Sequence, residues 1–335
     1  MSSHMTAYPL LIYAVSPLHV GTGRSSGVVD LPVQRDPFNY PVVYASSFKG
    51  ALKSHCFIAQ GSIGIEMCGK APICCCLFGS EKGDDTGSGL ITVTDLIPLF
   101  IPMPSNTHGY IYATSKYLLS RALDLLDLTS ENDLKSIVTN LLKPSEAQST
   151  QAAAQQMKVD VAGIEKALVK LQNGDALVKL GKLTEAKISN GVVIFDDNEG
   201  SEMLERAYIR MTRNKIDLRT KTVAERALWT EEYLPQGTVM LGLIIPSIPK
   251  ENKYCGEVIG EKVGQGGSSI CDAACYNKVL DKFREQFLGG SAGNNYGFIN
   301  LGGKETIGKG IIKIKIIMQD SIATNKGSTG SLSKA

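Results

Sequence analysis

The sequence predicts an α+β chain. Three observations carry that expectation: a short apolar run from Tyr8 to Val15 that Pro17 stops, a block of helical periodicity between Thr114 and Ala186, and a closing Ile312, Ile314, Ile316 alternation. Strand-like segments thus flank a largely helical stretch, a pattern of separated element types.

The 335 residues allow one large, insertion-bearing domain or two modest ones. Hydrophobic residues make up 43% and charged residues 20%, the latter below the ~25% of an average soluble chain, so a sizeable core is available and wholesale disorder is excluded. Thirty-five basic against 33 acidic residues leave a net charge of +2. A polyanion must therefore be met by a local patch, and histone-like or ribosomal-tail types are excluded. The longest apolar stretches, Leu90 to Met103 and Met240 to Ile248, are cut by Thr, Asp, Pro or Ser and fall short of the ~18 residues of a membrane span. A soluble chain with no membrane partner is expected. Residues 1–4 read as a tag remnant, with Met5 the natural start, no signal peptide after it and reducing cytoplasm as the compartment.

Taken in order, the Tyr8 to Val15 run reads as a buried strand leading into the Gly21-Thr22-Gly23-Arg24-Ser25-Ser26-Gly27 loop. Ser46 and Ser47 are capping types ahead of good helix formers, which places a helix N-terminus near Ser46. Leu118, Leu119, Ala122, Leu123 and Leu126, then Leu134, Ile137, Val138 and Leu141, mark two amphipathic helices. A polar stretch from Ser145 to Lys158 separates them from a third helical pattern at Val161, Ile164, Leu168 and Leu171. Strands and turns return from Val192 to Ile245 and include a hairpin-like segment, Arg206 to Arg226, with seven Lys/Arg against two Asp/Glu. That segment, which also carries Ile209, Met211 and Ile216, is the basic patch that the net charge hides. Cys255 to Leu288 holds a Gly-rich loop and then a helix with Val279, Leu280, Phe283 and Phe287 on one face, closed by Gly289-Gly290. The final strand is expected to bury its isoleucines and to solvate Lys313 and Lys315. The Ser/Gly/Thr/Lys-rich tail reads as disordered.

Gly303-x4-Gly308-Lys309 approaches a phosphate-binding P-loop, but Gly310 and a strand follow where Ser or Thr and a helix are required. Two readings stand for it: a loop whose backbone N–H groups and Lys309 approach phosphates, or a tight turn. Cys68, Cys74, Cys75 and Cys76 lack the spaced pairs of a zinc site and read as buried thiols. Cys255, Cys271 and Cys275 admit a disulfide if the source is a hyperthermophile. His19, His55 and His108 share no motif, so a two-histidine ribonuclease is unsupported, and His19 beside its Pro-Leu turn reads as structural. Asp30 follows the Gly-rich loop and precedes Pro32, which holds Leu31 extended. Its carboxylate is either presented to a ligand on the loop or bonded within a turn.

Taken together, Pro17-Leu18-His19-Val20-Gly21-Thr22-Gly23, Gly27-Val28-Val29-Asp30-Leu31-Pro32, Ser46 to Lys53, Leu77-Phe78-Gly79, Ala227 to Pro235 and Gly302 to Gly310 occur in an order that resembles the repeat-associated RNA-binding (RAMP) superfamily of CRISPR systems. The resemblance runs nearly the whole chain and is strongest to the backbone-subunit family of type III-B, or Cmr, effector complexes.

That resemblance implies a modified ferredoxin-like, RRM-type palm with helical insertions and a β-hairpin thumb. It implies one domain over residues 5–319, with insertions at about 112–186 and 250–290, the thumb region at about 200–236, and a disordered tail at 320–335. The implied function is a CRISPR effector subunit that binds guide RNA in a filament of its own copies with other Cmr subunits, and cleaves complementary target RNA with a weakly or substrate-bound divalent cation, Mg2+ or Mn2+. Asp30 matches the acidic catalytic position, as base or metal ligand, while His19, Glu231 and Tyr233 match positions associated with the site. The RNA-facing segments coincide with Gly21, Gly23, Arg24, Ser47, Lys49, Lys53, Arg210, Met211, Arg213, Gly303, Gly308 and Lys309. A guide of variable sequence must be held by phosphate and sugar. The alternative is a non-catalytic, RNA-coating scaffold of the same fold.

Overall fold

Apolar runs far apart in the chain find one another in a single sheet. The computed structural model describes residues 7–62, 67–80, 87–142, 158–168, 188, 191–247, 252, 254–256, 273–288 and 296–318. The chain begins with β1 (Tyr8–Ala14), α1 (Ala45–Ala59), α2 (Met67–Lys70), α3 (Pro72–Phe78), β2 (Ile91–Val93), β3 (Ile97–Ser105) and β4 (Gly109–Ser115). It continues through α4 (Lys116–Leu126), α5 (Asn132–Leu142), β5 (Lys158–Val161), β6 (Ile164–Ala167), β7 (Val192–Phe195) and α6 (Gly200–Glu205). β8 (Ile209–Ile216), β9 (Val223–Tyr233), β10 (Val239–Pro246), α7 (Ala273–Phe287), β11 (Tyr296–Asn300) and β12 (Ile311–Ile316) complete it.

The main sheet has the order β11-β12-β1-β10-β3-β4-β7, with β2 also on β10. Its pairs are antiparallel except for the parallel β4–β7 pair. Counted in chain order, the inner strands β12, β1, β10 and β3 stand fourth, first, third and second, with α1 and α7 as the two crossover helices. This is the ferredoxin-like palm that the resemblance implies.

Alternation gives the inner strands of the main sheet two largely buried faces. Leu10, Ile12, Ile312, Ile314 and Ile316 meet Phe48 and Leu52 of α1 and Val279 and Phe283 of α7 on one side. Leu11, Leu99 and Leu241 meet Leu119 and Leu126 of α4 and Val138 and Leu141 of α5 on the other. Each such side chain contributes about 1.5–3 kcal/mol on burial. The two helices expected around Leu118 and Leu134 are α4 and α5, and Ser115 caps the first by accepting from the Leu118 N–H at 3.2 Å.

Several local expectations are corrected. Tyr44, not a serine, precedes α1, and the free Ala45 N–H is taken by Asp95 Oδ1 at 2.7 Å, a cap supplied from a distant loop. Val161 and Ile164 belong to the β5–β6 hairpin, not to a helix. Ala162 and Gly163 sit at φ 51° and 84°, the positive-φ pair of a two-residue hairpin turn. Lys313 is buried on its sheet face, with Nζ 3.5 Å from the Tyr296 ring centroid, so that face of β12 is not a solvated one. The basic hairpin is longer than the Arg206 to Arg226 segment, since β8 and β9 pair from Ile209↔Tyr233 outward. The tag remnant, the polar stretch 145–157, Leu171, the Gly-rich part of 257–272, Gly289-Gly290 and the tail from 319 lie outside the described residues. Among the described residues no helix is long and apolar enough to cross a membrane.

The cysteines are the largest correction. Cys56 is bonded to Cys74, Cys68 to Cys75 and Cys76 to Cys255. Consecutive residues on a helix diverge by about 100°, so Cys74, Cys75 and Cys76 of α3 each reach a different neighbour: α1, α2 and the Cys255 segment. The same divergence prevents a shared zinc ion. Cys271 and the Cys275 side chain lie outside the described residues.

The Cys76–Cys255 bond spans a sequence separation of 179, and closing so long a loop removes much unfolded-chain entropy, typically worth about 2–4 kcal/mol. Reductant is expected to lower Tm by several degrees, and the denatured protein is expected to take at least six more thiol labels after reduction than before, two for each of the bonds among the described residues. Equal labelling and equal Tm in both conditions would show free thiols.

Candidate nucleic-acid interface

The last residues of β9 organise the candidate site. Leu234 exchanges backbone hydrogen bonds with Leu18 at 2.9 and 3.0 Å, and Leu31 bonds Thr230 and Glu232, each at 3.0 Å. Both ends of the 21–30 loop are thereby anchored on one strand. The second Gly-rich loop is tied to the same place, because Gly303 N–H donates to His19 O at 2.8 Å and Gly310 N–H to Pro17 O at 3.0 Å. Glycine is required there: at Gly302, φ is 85° and an added Cβ would lie 2.2 Å from His19 O.

Strand alternation sends Trp229, Glu231 and Tyr233 to one side of β9 and Thr230 and Glu232 to the other. Glu231 is 1% exposed. It accepts from Trp229 Nε1 at 2.7 Å, from the Tyr233 hydroxyl, and from Arg213 Nε at 3.4 Å, and it pairs with Lys304 Nζ at 2.5 Å. Burial pushes its carboxyl up, but the bonds from Lys304, Tyr233 and Trp229 and the Lys304 charge more than offset this and hold it at about 2. Burial, reinforced by Glu231, pushes the Tyr233 phenol above its ordinary value. A carboxylate so fully bonded is a structural clamp, poorly suited to accept a proton at neutral pH.

His19 is buried, and its Nδ1 lies 2.7 Å from the Glu232 carbonyl. A carbonyl only accepts, so Nδ1 carries the proton and Nε2 faces the loops. An added Cβ at Gly21 would sit 2.6 Å from that Nε2. His19 therefore joins the loops beneath their surface.

Asp30 is half-buried, and its Oδ2 accepts from Thr230 N–H at 2.7 Å. Oδ1 takes no bond from the described residues. Asp30 thus combines a fixed orientation with an uncommitted oxygen on an exposed loop, where Gly23 and Arg24 lie open to solvent.

The remaining candidates fall into three groups. Lys309 places Nζ 5.4 Å from the Tyr233 ring centroid, and Gly303 and Gly308 are exposed beside it. Ser47, Lys49 and Lys53 are half-buried along α1, and Gln34 links this helix to the first loop by donating to Ser47 Oγ at 3.1 Å and Gly21 O at 3.4 Å. Arg210, Met211 and Arg213 lie on β8, opposite Glu232, Glu231 and Trp229. The exposed apolar residues of the hairpin are Ile216, Leu218, Val223 and Leu228, with Leu218 82% exposed. Ile209 and Met211 are half-buried near its root.

Sequence reasoning missed Glu232, Arg35, Glu205 and Lys304. Glu232 is 1% exposed. It accepts from Val33 N–H at 3.3 Å, Arg35 Nη2 at 3.2 Å and Arg210 Nε at 3.2 Å. Its signal was the adjacent Glu231-Glu232 pair in a strand-like run, which requires partners on both faces. A cavity of about 500 Å³ opens beside the first loop over Arg35, Arg210 and Glu232. Among the described residues no cluster of three or more His, Cys, Asp or Glu suits a metal ion.

Comparison with known proteins agrees with this architecture. Residues 11–313 match the family described as the RAMP superfamily. A CRISPR system CMR subunit Cmr4 of Saccharolobus solfataricus is 28% identical, over 94% of this chain and 98% of the relative. A CRISPR system Cmr endoribonuclease Cmr4 of Pyrococcus furiosus is also 28% identical, over 97% and 99%. The cryo-EM structure of type III-B Cmr-beta bound to cognate target RNA contains a chain with TM-score 0.66 and 25% identity, over 93% of this chain and 98% of that one. The crystal structure of oligomeric Cmr4 from Pyrococcus furiosus shares the fold, with TM-score 0.56 and 22% identity over 94% and 99%.

The depressed Glu231 carboxyl has a signed consequence. It contributes stability above its ordinary value of 4.5 and loses that contribution as pH falls toward about 2. Glu231→Gln is therefore expected to lower Tm at neutral pH, with the gap to wild type closing across that acid window. A gap that stays constant with pH would show that the clamp is not ionic.

Proposed function

The chain belongs to the RAMP superfamily, and from that premise we propose that it is the backbone subunit of a type III-B CRISPR effector. In this reading it coats guide RNA in stacked copies beside other Cmr subunits and cuts complementary target RNA in antiviral defence. Its place of work is the cytoplasm, where transcripts are met. Two relatives named Cmr4, one of them an endoribonuclease, support the reading over nearly their whole lengths.

The observation that carries the catalytic reading is Asp30, oriented through Oδ2 by Thr230 N–H and keeping Oδ1 for a substrate. Cleavage by a ribose 2′-OH forms a P–O2′ bond and breaks the P–O5′ bond in line. Asp30 Oδ1 takes the proton from the 2′-OH as the P–O2′ bond forms, and the departing O5′ takes a proton from water. Lys309 and the backbone N–H groups of the two Gly-rich loops balance charge on the non-bridging oxygens. In the other role open to Asp30, its Oδ1 and the RNA would hold a divalent cation, Mg2+ or Mn2+, which would supply further charge at phosphorus, and water in place of Asp30 would take the 2′-OH proton. His19, Glu231 and Tyr233 act as positioning residues that keep the loops and β9 in register. Arg24, Ser47, Lys49, Lys53 and the β8 arginines hold phosphate and sugar without reading bases.

Asp30→Asn keeps an oxygen for Thr230 N–H and removes the charge. Complexes carrying it are expected to assemble and bind guide and target as wild type does, while matched RNA is cut about 10²-fold more slowly or worse. Near wild-type cleavage would favour the scaffold reading, in which Asp30 only closes a turn.

The exposed hairpin tip is read as a wedge across the guide–target duplex. Replacing Ile216 and Leu218 by Ser is expected to blur or abolish the cleavage positions while guide affinity changes little, as followed on sequencing gels. Unchanged positions and rate would assign the hairpin another role.

A further inference from the structure

The cavity beside the Gly21 to Gly27 loop is walled by Arg210, one of the proposed RNA contacts, together with Arg35, Glu205 and Glu232, to which the proposed function gives no role. Arg35 and Arg210 converge there on Glu232, at 3.1 Å from Arg35 Nη2 to Oε2 and 3.2 Å from Arg210 Nε to Oε1. Glu232 is 1% exposed and also holds Val33 N–H, so it cannot turn away. The Tyr208 ring lies 5.2 Å from the Arg35 guanidinium carbon and fixes that side chain further.

Glu205, the second carboxylate of the cavity, is held differently. Its side chain is 31% exposed, and among the described residues it is bonded only to Arg210 Nη2 and, at 3.6 Å, paired with Arg35 Nη2. One carboxylate is thus built in and the other is exchangeable. Arg35 Nε is moreover buried without a hydrogen-bond partner, a donor that the resident carboxylates do not use.

Two fixed guanidiniums neutralised by one immovable and one movable acid form a site for a third anion. A phosphodiester carries one negative charge on two oxygens, the arrangement that a guanidinium fork binds. We propose that this cavity holds one RNA backbone phosphate between Arg35 and Arg210, and that Glu205 is the resident counter-ion which that phosphate displaces. The proposal rests on the RNA-binding reading above and adds to it a specified subsite and a discriminating acid. A lone phosphate exchanges charge for charge with Glu205 and gains little. An RNA already held along its length delivers its phosphate at high effective concentration and wins the exchange.

The test compares the full-length wild-type chain with Glu205→Gln and Glu202→Gln by filter binding across a salt series. Glu202 lies on the same helix but pairs outward with Arg206, so its variant makes the same charge change away from the cavity. Glu205→Gln is expected to bind RNA about threefold to fivefold more tightly, with a log–log salt slope steeper by about 0.7–0.9. Glu202→Gln is expected to move neither, and adding Arg210→Ala to Glu205→Gln should erase the gain. A gain on single-stranded RNA assigns the phosphate to the guide; a gain seen only after annealing the complement assigns it to the target. The proposal is overturned if Glu205→Gln binds no more tightly than wild type, or if its gain survives loss of Arg210. RNA binding by neither wild type nor variant would remove the underlying RNA reading as well.

Discussion

Everything at the candidate site depends on one stretch of backbone, Thr230 to Leu234. It is the root of the hairpin and also the strand on which both ends of the first Gly-rich loop are fastened. The buried Glu231 and Glu232 make that root stiff in opposite directions, one reaching Lys304 in the second loop and the other reaching Arg35 and Arg210. Two adjacent buried acids are costly unless each is paired. Here each is paired by a different part of the chain, so the cost is offset only when hairpin, loops and palm are assembled together.

That dependence explains what was legible in the sequence. α4, α5 and α7 were visible because their apolar residues repeat locally, and Gly302 and Gly308 marked a loop for the same local reason. Asp30 was visible through its neighbours, a Gly-rich loop before it and Pro32 after it. Glu232 was not, since its partner Val33 is 199 positions away and its carbonyl serves His19 at a separation of 213. The Asp95 cap on α1 and the Cys76–Cys255 bond are likewise long-range pairings without a local signal. The β5–β6 hairpin misled for another reason: Val161, Ile164 and Leu168 fit a helical period, and only the positive φ at Ala162 and Gly163 breaks it.

The disulfides and the acid pairs act on different halves of the palm. α3 is fastened through its consecutive cysteines to α1, α2 and the Cys255 segment, and α1 is the helix that carries Ser47, Lys49 and Lys53. Its other end is anchored by Asp95. A basic helix fixed at both ends would lose little further freedom on meeting RNA as proposed, which would favour binding through a low ordering cost.

The β8–β9 ladder is regular near its root and irregular between Asn214 and Ile216, and Arg226 adopts φ 56° on the opposite strand. Beyond that irregularity the two strands have no third strand among the described residues to stiffen them, and an isolated pair is marginally stable in water. The arm is therefore graded in compliance, with a rigid shoulder and a pliant end. RNA duplexes of different sequence differ in local twist and rise, and on the proposed reading, with the hairpin across a guide–target duplex, a pliant end would absorb those differences before they reach Asp30. Mechanical tolerance at the tip would then complement the sequence-blind hold on phosphate and sugar.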